Sequence, residues 1–418
     1  MATISAAPSR FTSKTLRLGP CKCVGNLGRL YASSLKQHPD NPPVTLVVHR
    51  KELLSQWLDS NGIEITRFGA LKVNRDFDVE WWTETPPEQG RVCEVAGGKA
   101  LHNLIIGTKA SSAMPEVDRL RRYLSRNSTA AFLQNGMSKL WPPHGPEYIS
   151  QRYTAGEEPN FLACINNHGV FSEGPFRSVH ASPADVAMGS VLLNAKNSAP
   201  ASSIGYLTKM ITTAPYLNAR SVSRADLWVL QLQKLVVNSV INPLTAILGC
   251  KNGWLFEDED GPVAQVIDKL LAEASGVLQA LINHDSSADI LAPPPESVNS
   301  NQGVGQDYLK PLRAQLTAQF SQPQLRQMLY RIGEIVKENN SSMLQDVRAG
   351  KPTEIHDFNG WLVDTASFLN LTAHSSDGVN LNANIRAGDT PTHRILIDLV
   401  EARVVMNLSD LAQCLLAA

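Results

Sequence analysis

Apolar positions change their period near the middle of this chain. In the first half they fall in short continuous runs: Val44-Thr45-Leu46-Val47-Val48, Leu101 to Gly107, Ala130 to Leu133, and Phe161-Leu162-Ala163-Cys164-Ile165. Runs of this kind suit strands buried on both faces. A helical pattern over 117–124 lies between two of them, and strand–helix alternation predicts a parallel sheet with ligands at the carboxyl ends of its strands. Residues 60–100 are polar and mixed, with Trp81-Trp82 and Pro86-Pro87, and read as a hairpin-like insertion. Beyond residue 220 the spacing becomes helical, over 227–243, 263–283, 307–338, 353–370 and 394–416. The stretch 284–306, with Pro293-Pro294-Pro295 and repeated Ser and Asn, reads as a flexible loop. Asn197 to Ser203 reads as a low-complexity link. The expected organisation is an α/β Rossmann-like dinucleotide-binding domain over 1–200 and an all-α substrate and catalytic domain over 221–418.

The helix expected from Leu227 places Lys234, Asn238 and Asn242 four residues apart, on one face. Trp228, Leu232, Leu235 and Val236 give it a large apolar surface. A lysine and two amides in such surroundings need partners, which are either a ligand or, equally well on spacing alone, backbone and solvent.

Near the start, Cys23-Val24-Gly25-Asn26-Leu27-Gly28 stands where a dinucleotide fold wants Gly-x-Gly-x-x-Gly. Gly25 and Gly28 fill the second and third places and Cys23 the first. Pro20 and Lys22 interrupt the approach from Leu16-Arg17-Leu18, so the preceding strand reads as poor. A helix can continue over Arg29 to Leu35. About 20 residues after the glycines, where an NAD-binding fold usually places an acidic residue on the ribose, stand His49 and Arg50. A cation suits a 2′-phosphate, so NADPH is expected over NADH, unless Arg50 simply ends a strand at the surface.

Composition narrows the field. Of the 418 residues 43% are apolar and 18% charged, proportions of a globular protein with room for two cores. A formal net charge of -1 carries no nucleic-acid footprint, and no apolar run has the roughly 18 residues of a membrane span. The cysteines at 21, 23, 93, 164, 250 and 414 form no framework, which fits reduced thiols. Cys21-x-Cys23 has no second pair to make a metal site, and none is expected. Glu257-Asp258-Glu259-Asp260 reads as a solvated acidic turn. The first 39 residues carry six basic and no acidic side chains, a transit-peptide-like composition that leaves the compartment open between cytoplasm and mitochondrion.

Two segments carry a resemblance. Lys234-Leu-Val-Val-Asn-Ser-Val-Ile-Asn-Pro-Leu-Thr-Ala246 is followed by Asn252-Gly253. Asn340-Ser-Ser-Met-Leu-Gln-Asp-Val-Arg348 is followed by Thr353-Glu354-Ile355 and Asn359-Gly360. In wording, order and separation they resemble the ketopantoate reductase (2-dehydropantoate 2-reductase) family, most strongly over 220–370. The resemblance implies a C-terminal domain like that of 6-phosphogluconate dehydrogenase and an NADP(H)-dependent reduction of ketopantoate in pantothenate and coenzyme A biosynthesis. It assigns Lys234 as general acid and Glu354 as the carboxylate orienting that end of the site. Asn238, Asn242 and Asn252 would bond the substrate hydroxyl and carbonyl, and Ser342, with the backbone up to Ser341, its carboxylate. Gly25, Asn26, Leu27, Gly28, Arg50, Lys109, Asn135 and Val170 would hold the cofactor, in a cleft between the two domains that closes on a small 2-keto acid. A homodimer is compatible with this. Structural roles stand beside these. Lys109 and Asn135 can be polar strand ends, and His168 suits a loop or packing role better than a base. Ser342 has capping-box spacing with Gln345. Thr353 can cap the next helix, with Glu354 in its first turn. A non-catalytic nucleotide-binding module with a degenerate glycine loop is the alternative function, and a hydroxyacid dehydrogenase working in the oxidative direction is a third.

Overall fold

The computed structural model describes residues 13–19, 25–82, 95–194, 203–292, 306–375 and 387–417. Cys21, Cys23, Cys93, Pro86-Pro87, the link at 197–202 and the prolines at 293–295 lie outside them. The strands are β1 Leu16–Leu18, β2 Val44–Val48, β3 Ile63–Arg67, β4 Ala70–Asn74, β5 Asp78–Trp81, β6 Asn103–Ile106, β7 Thr129–Phe132, β8 Asn160–Asn166, β9 Gly169–Gly174, β10 Arg177–Ser182, β11 Val186–Leu192 and β12 Ala219–Ser221. The helices are α1 Asn26–Lys36, α2 Lys51–Asp59, α3 Ala110–Leu120, α4 Gly145–Ser150, α5 Ser203–Thr212, α6 Arg224–Leu248, α7 Pro262–Asn283, α8 Ala288–Leu291, α9 Gln306–Gln319, α10 Gln322–Ile335, α11 Ser342–Arg348, α12 Trp361–Ser375, α13 Pro391–Glu401 and α14 Leu408–Leu416. Contacts divide the chain into two compact units, Met1–Asn135 with Glu147–Leu227, and Gly136–Pro146 with Trp228–Ala418.

The first unit is the expected α/β layer. Its larger sheet runs β12-β11-β8-β7-β6-β1-β2-β5. From β5 to β8 every neighbour is parallel, and β11 is antiparallel to β8. The short strand expected to be broken by Pro20 and Lys22 ends before them. It is an inner strand between β6 and β2, wholly buried, with Arg17 neutralised across β2 by Glu80 at 3.1 Å. The 60–100 region contains the expected hairpin, β3–β4, turning through Phe68 and Gly69 at φ 48° and 76°, as tight hairpins require. It also supplies β5, an edge strand of the main sheet, which the polar composition concealed. The hairpin joins β10 and β9 in a second four-stranded sheet, β4-β3-β10-β9, with β10 parallel to β3. Leu16, Leu18, Leu30, Tyr31, Leu46, Ile105, Leu162 and Met188 form the core under α1 and α5. α5 begins at Ser203, where the expected link ends, in a stretch to which no element had been assigned.

The second unit is all helix, as its period predicts. Trp228, Leu232, Leu235, Val236, Val240 and Leu244 of α6 are buried, with Val266, Ile267, Leu270 and Leu271 of α7. The single helix expected over 307–338 is two. α10 restarts after Ser321 with a proline in its first turn, a position that suits proline because the missing N–H has no intrahelical acceptor there. The helix expected over 394–416 is also two. Arg403 turns at φ 52° and Asn407 caps α14 by accepting the Asp410 N–H at 3.0 Å. Residues 285–291 form a 3₁₀ turn and α8 rather than loop. Among the described residues no helix is long and apolar enough to cross a membrane.

Candidate active site

In the first unit the chain leaves β1 to one side for β2 and returns on the other for β6. The carboxyl ends of β1 and β6 therefore bound the crevice where open α/β sheets take ligands. Gly25 caps α1 there, and the first N–H groups of that helix, from Asn26 to Gly28, have no intrahelical acceptor. A helix start of this kind attracts phosphate. The loop after β6 comes close. A Cβ on Gly25 would stand 3.7 Å from Gly107 O, and one on Gly107 would stand 3.9 Å from Gly28 N. Neither glycine sets a side chain over the N–H groups at the start of α1, so the residues present fit such a group. Asn26 is fixed from the smaller sheet: Ser178 Oγ donates to its Oδ1 at 3.1 Å. Buried Arg29 donates to Gly174 O and Arg177 O at 2.9 and 2.7 Å. Leu27 packs on the core.

Arg50, Lys109 and Asn135 follow β2, β6 and β7 on this same edge of the sheet. Arg50 is exposed at the start of α2, and Lys109 is half-buried at the start of α3. Val170 is not on that edge. It lies in β9 of the smaller sheet, its side chain partly buried against the core. His168 is buried and hydrogen-bonded within the first unit. Its Nδ1 accepts the Ala184 N–H at 2.9 Å and its Nε2 donates to Leu217 O at 3.0 Å. The Cys164 thiol is buried and pushed up to about 12 by desolvation, so it stays protonated and inert.

In the second unit α6 carries Lys234, Asn238 and Asn242 on one face, about 6 Å apart along the axis. Lys234 and Asn238 are half-buried and Asn242 is buried. A turn further on, Thr245 Oγ1 lies 2.7 Å from Ser341 Oγ, tying the second signature segment to this helix. The expected cap is displaced by one residue. Ser341, not Ser342, accepts the Leu344 N–H, at 3.1 Å, and Ser342 is exposed in the first turn. The spacing had pointed to Ser342; it is Ser341 that both caps the helix and meets Thr245. Asn252 belongs to the same corner. Its N–H donates to Asn339 O at 3.0 Å and its Nδ2 to Val336 O at 3.2 Å. Its Oδ1 is buried without a partner. Glu354 is half-buried immediately before the next helix, which opens at Ile355 and runs through a π-helical turn, His356–Gly360. Thr353 therefore does not cap it, and Glu354 holds the turn by accepting the Asp357 N–H on its carbonyl at 2.9 Å. The exposed acidic run at 257–260 forms no metal cluster among the described residues.

Two family models match, the ketopantoate reductase PanE/ApbA model over residues 24–192 and its C-terminal companion over 226–379. The chain belongs to the ketopantoate reductase family. Among its relatives, this family member is 49% identical over 372 residues to a ketoisovalerate reductase of Gibberella fujikuroi, covering 88% of this chain and 80% of that one. It is 46% identical over 406 residues to a ketoisovalerate reductase of Beauveria bassiana, covering 94% and 84%. The fold agrees with that of the protein named probable 2-dehydropantoate 2-reductase of Bacillus subtilis, with a TM-score of 0.57 at 18% identity, covering 93% and 99%. Sequence reasoning passed over Thr245, which aligns Ser341 with α6, and gave Asn359 no role although it stands in the second signature. A proline inside a helix was the available signal for the latter.

Proposed function

We propose that this ketopantoate reductase family member reduces a short branched 2-keto acid to the 2-hydroxy acid with NADPH, and that ketoisovalerate is its substrate. The reading rests on Lys234, Asn238 and Asn242 sharing one face of α6, in a chain 49% identical to a ketoisovalerate reductase. A nicotinamide bound in the first unit supplies the hydride. Everything else falls to the chain. Gly25, Asn26, Leu27 and Gly28 take the pyrophosphate, and Arg50 pairs with the 2′-phosphate by a charge-assisted bond. Lys109 and Asn135 complete the cofactor's surroundings. Lys234 donates the proton that the developing alkoxide needs, and Asn238 and Asn242 fix the keto oxygen. Ser342 and the backbone at Ser341 hold the carboxylate, with Glu354 orienting Lys234.

One observation favours ketopantoate instead. Asn252 Oδ1 is a buried acceptor with no partner. The hydroxymethyl group that distinguishes ketopantoate from ketoisovalerate can donate to it. A site built to bond a substrate hydroxyl rejects the analogue lacking it by roughly 10⁴-fold or more, whereas an apolar site discriminates far less. The test is kcat/KM for both acids with NADPH, in the wild type and in Asn252→Leu. The proposal expects ketoisovalerate to be the better substrate in the wild type and in the variant alike. Ketopantoate preferred by orders of magnitude, and lost in Asn252→Leu, would move the assignment to ketopantoate. Nucleotide binding without turnover of either acid would sink both.

A further inference from the structure

Pro243 lies inside α6, one residue beyond Asn242. Having no N–H, it cannot bond the carbonyl four residues back, and the Ser239 O left over sits in a buried part of the helix. That carbonyl is not abandoned. Asn359, 120 residues away and fully buried in the π-helical turn that follows Glu354, donates its Nδ2 to Ser239 O at 2.9 Å. The same Nδ2 lies 2.9 Å from His393 Nδ1. The amide's orientation is fixed by what lies beyond. His393 Nε2 stands 3.2 Å from Leu270 O, which can only accept, so Nε2 carries the proton and Nδ1 is the acceptor. Asn359 therefore spends one N–H on each neighbour. Glu273 of α7 completes the arrangement by accepting the Thr392 and His393 N–H groups at 3.0 and 3.2 Å, which fixes the start of α13.

We propose that Asn359 is the positioning residue of the reductase: by filling the bond that Pro243 vacates, it locks the helix bearing Lys234, Asn238 and Asn242 to the turn bearing Glu354. This rests on the functional reading above. Asn359 is fully buried, its amide spent on Ser239 O and His393 Nδ1, so its part is positioning. It sets the register between the two signature segments, and small misplacements of a proton donor are costly in rate. A buried carbonyl and a buried imidazole would both lose their donor without it.

The prediction is a coupling between positions 243 and 359, read in a four-protein cycle: wild type, Asn359→Ala, Pro243→Ala and the double variant. In the double variant the backbone N–H restored at position 243 can close on Ser239 O within the helix, making the Asn359 amide dispensable there. With NADPH and ketoisovalerate or ketopantoate, Asn359→Ala should lower kcat at least about tenfold while leaving KM for NADPH within about twofold. The same substitution made on Pro243→Ala should cost about twofold or less. If Asn359→Ala does not fold, a double variant that folds and turns over establishes the same coupling, whereas one that folds and stays inactive overturns the proposal. An Asn359→Ala enzyme with wild-type kcat overturns it, and so does an equal loss in both backgrounds. A wild type that reduces neither acid overturns the reductase reading itself, and the positioning role with it.

Discussion

His393 offers the most quantitative prediction. The ring is fully buried in the second unit, and desolvation pushes it down to about 4 from an ordinary 6.5, partly opposed by its bond to Leu270 O. The Glu273 carboxylate accepts the backbone N–H of His393 itself, at 3.2 Å. The unfolded chain takes up a proton as pH falls through about 6.5, while the folded protein refuses it until about 4. The neutral ring's contribution is therefore complete above about 6.5 and is lost as the pH drops towards 4. At ~1.4 kcal/mol per unit, the shift from 6.5 to about 4 amounts to about 3 kcal/mol. Protonating Nδ1 would also take the acceptor away from Asn359, so acid attacks the hub directly. Urea unfolding followed by tryptophan fluorescence at several values between about pH 7.5 and pH 4.5 reads the effect. His393→Gln should be less stable than wild type near neutrality, since Gln cannot reproduce both ring bonds. That deficit should shrink by ~1.4 kcal/mol for each pH unit below about 6.5, because the variant has no proton to take up. A deficit independent of pH would refute the reasoning. His180 in the first unit, also down to about 4 through desolvation and the nearby Arg67, makes the two units' transitions worth resolving separately.

Three further outcomes follow. Arg50→Ala should reduce the NADPH over NADH preference in kcat/KM by about tenfold or more, the worth of a charge-assisted phosphate contact; an unchanged ratio removes Arg50 from cofactor choice. Ser341→Ala should lower stability by about 1 kcal/mol through loss of the α11 cap, together with Thr245's partner. If only substrate affinity moved and thermal unfolding stayed put, the capping role would be wrong. Gly136 holds φ 82° and a Cβ there would meet Asp357 O at 2.8 Å, so Gly136→Ala should destabilise the second unit by about 2 kcal/mol, seen as a lower transition temperature; an unshifted one would contradict it.

The parts of the fold legible in the sequence were those with a strong local period. α6 could be read from Trp228, Leu232, Leu235 and Val236, and β2 and β8 from their continuous apolar runs. β4, exposed along nearly its whole length, and β10, which pairs in parallel with distant β3, gave no such signal. Their existence depends on partners far away in the chain. Helix breaks at Ser321 and Arg403 were hidden because an amphipathic period can run through a short turn unaltered. The same division holds at the site. Lys234, Asn238 and Asn242 declare themselves on one helix face. The Asn359 hub joins α6, α7, the π-helical turn and α13, which no window of sequence contains. Only Pro243, a missing N–H in an otherwise good helix, pointed towards it.

The central claim is tested most directly by following nicotinamide absorbance with NADPH and ketoisovalerate, and in parallel ketopantoate, for the wild type and Lys234→Ala side by side. NADPH oxidation dependent on the keto acid is expected, falling at least about 10²-fold in Lys234→Ala, with NADPH binding by fluorescence retained in both. Undiminished turnover in Lys234→Ala, or a wild type that binds NADPH and reduces neither acid, would contradict it.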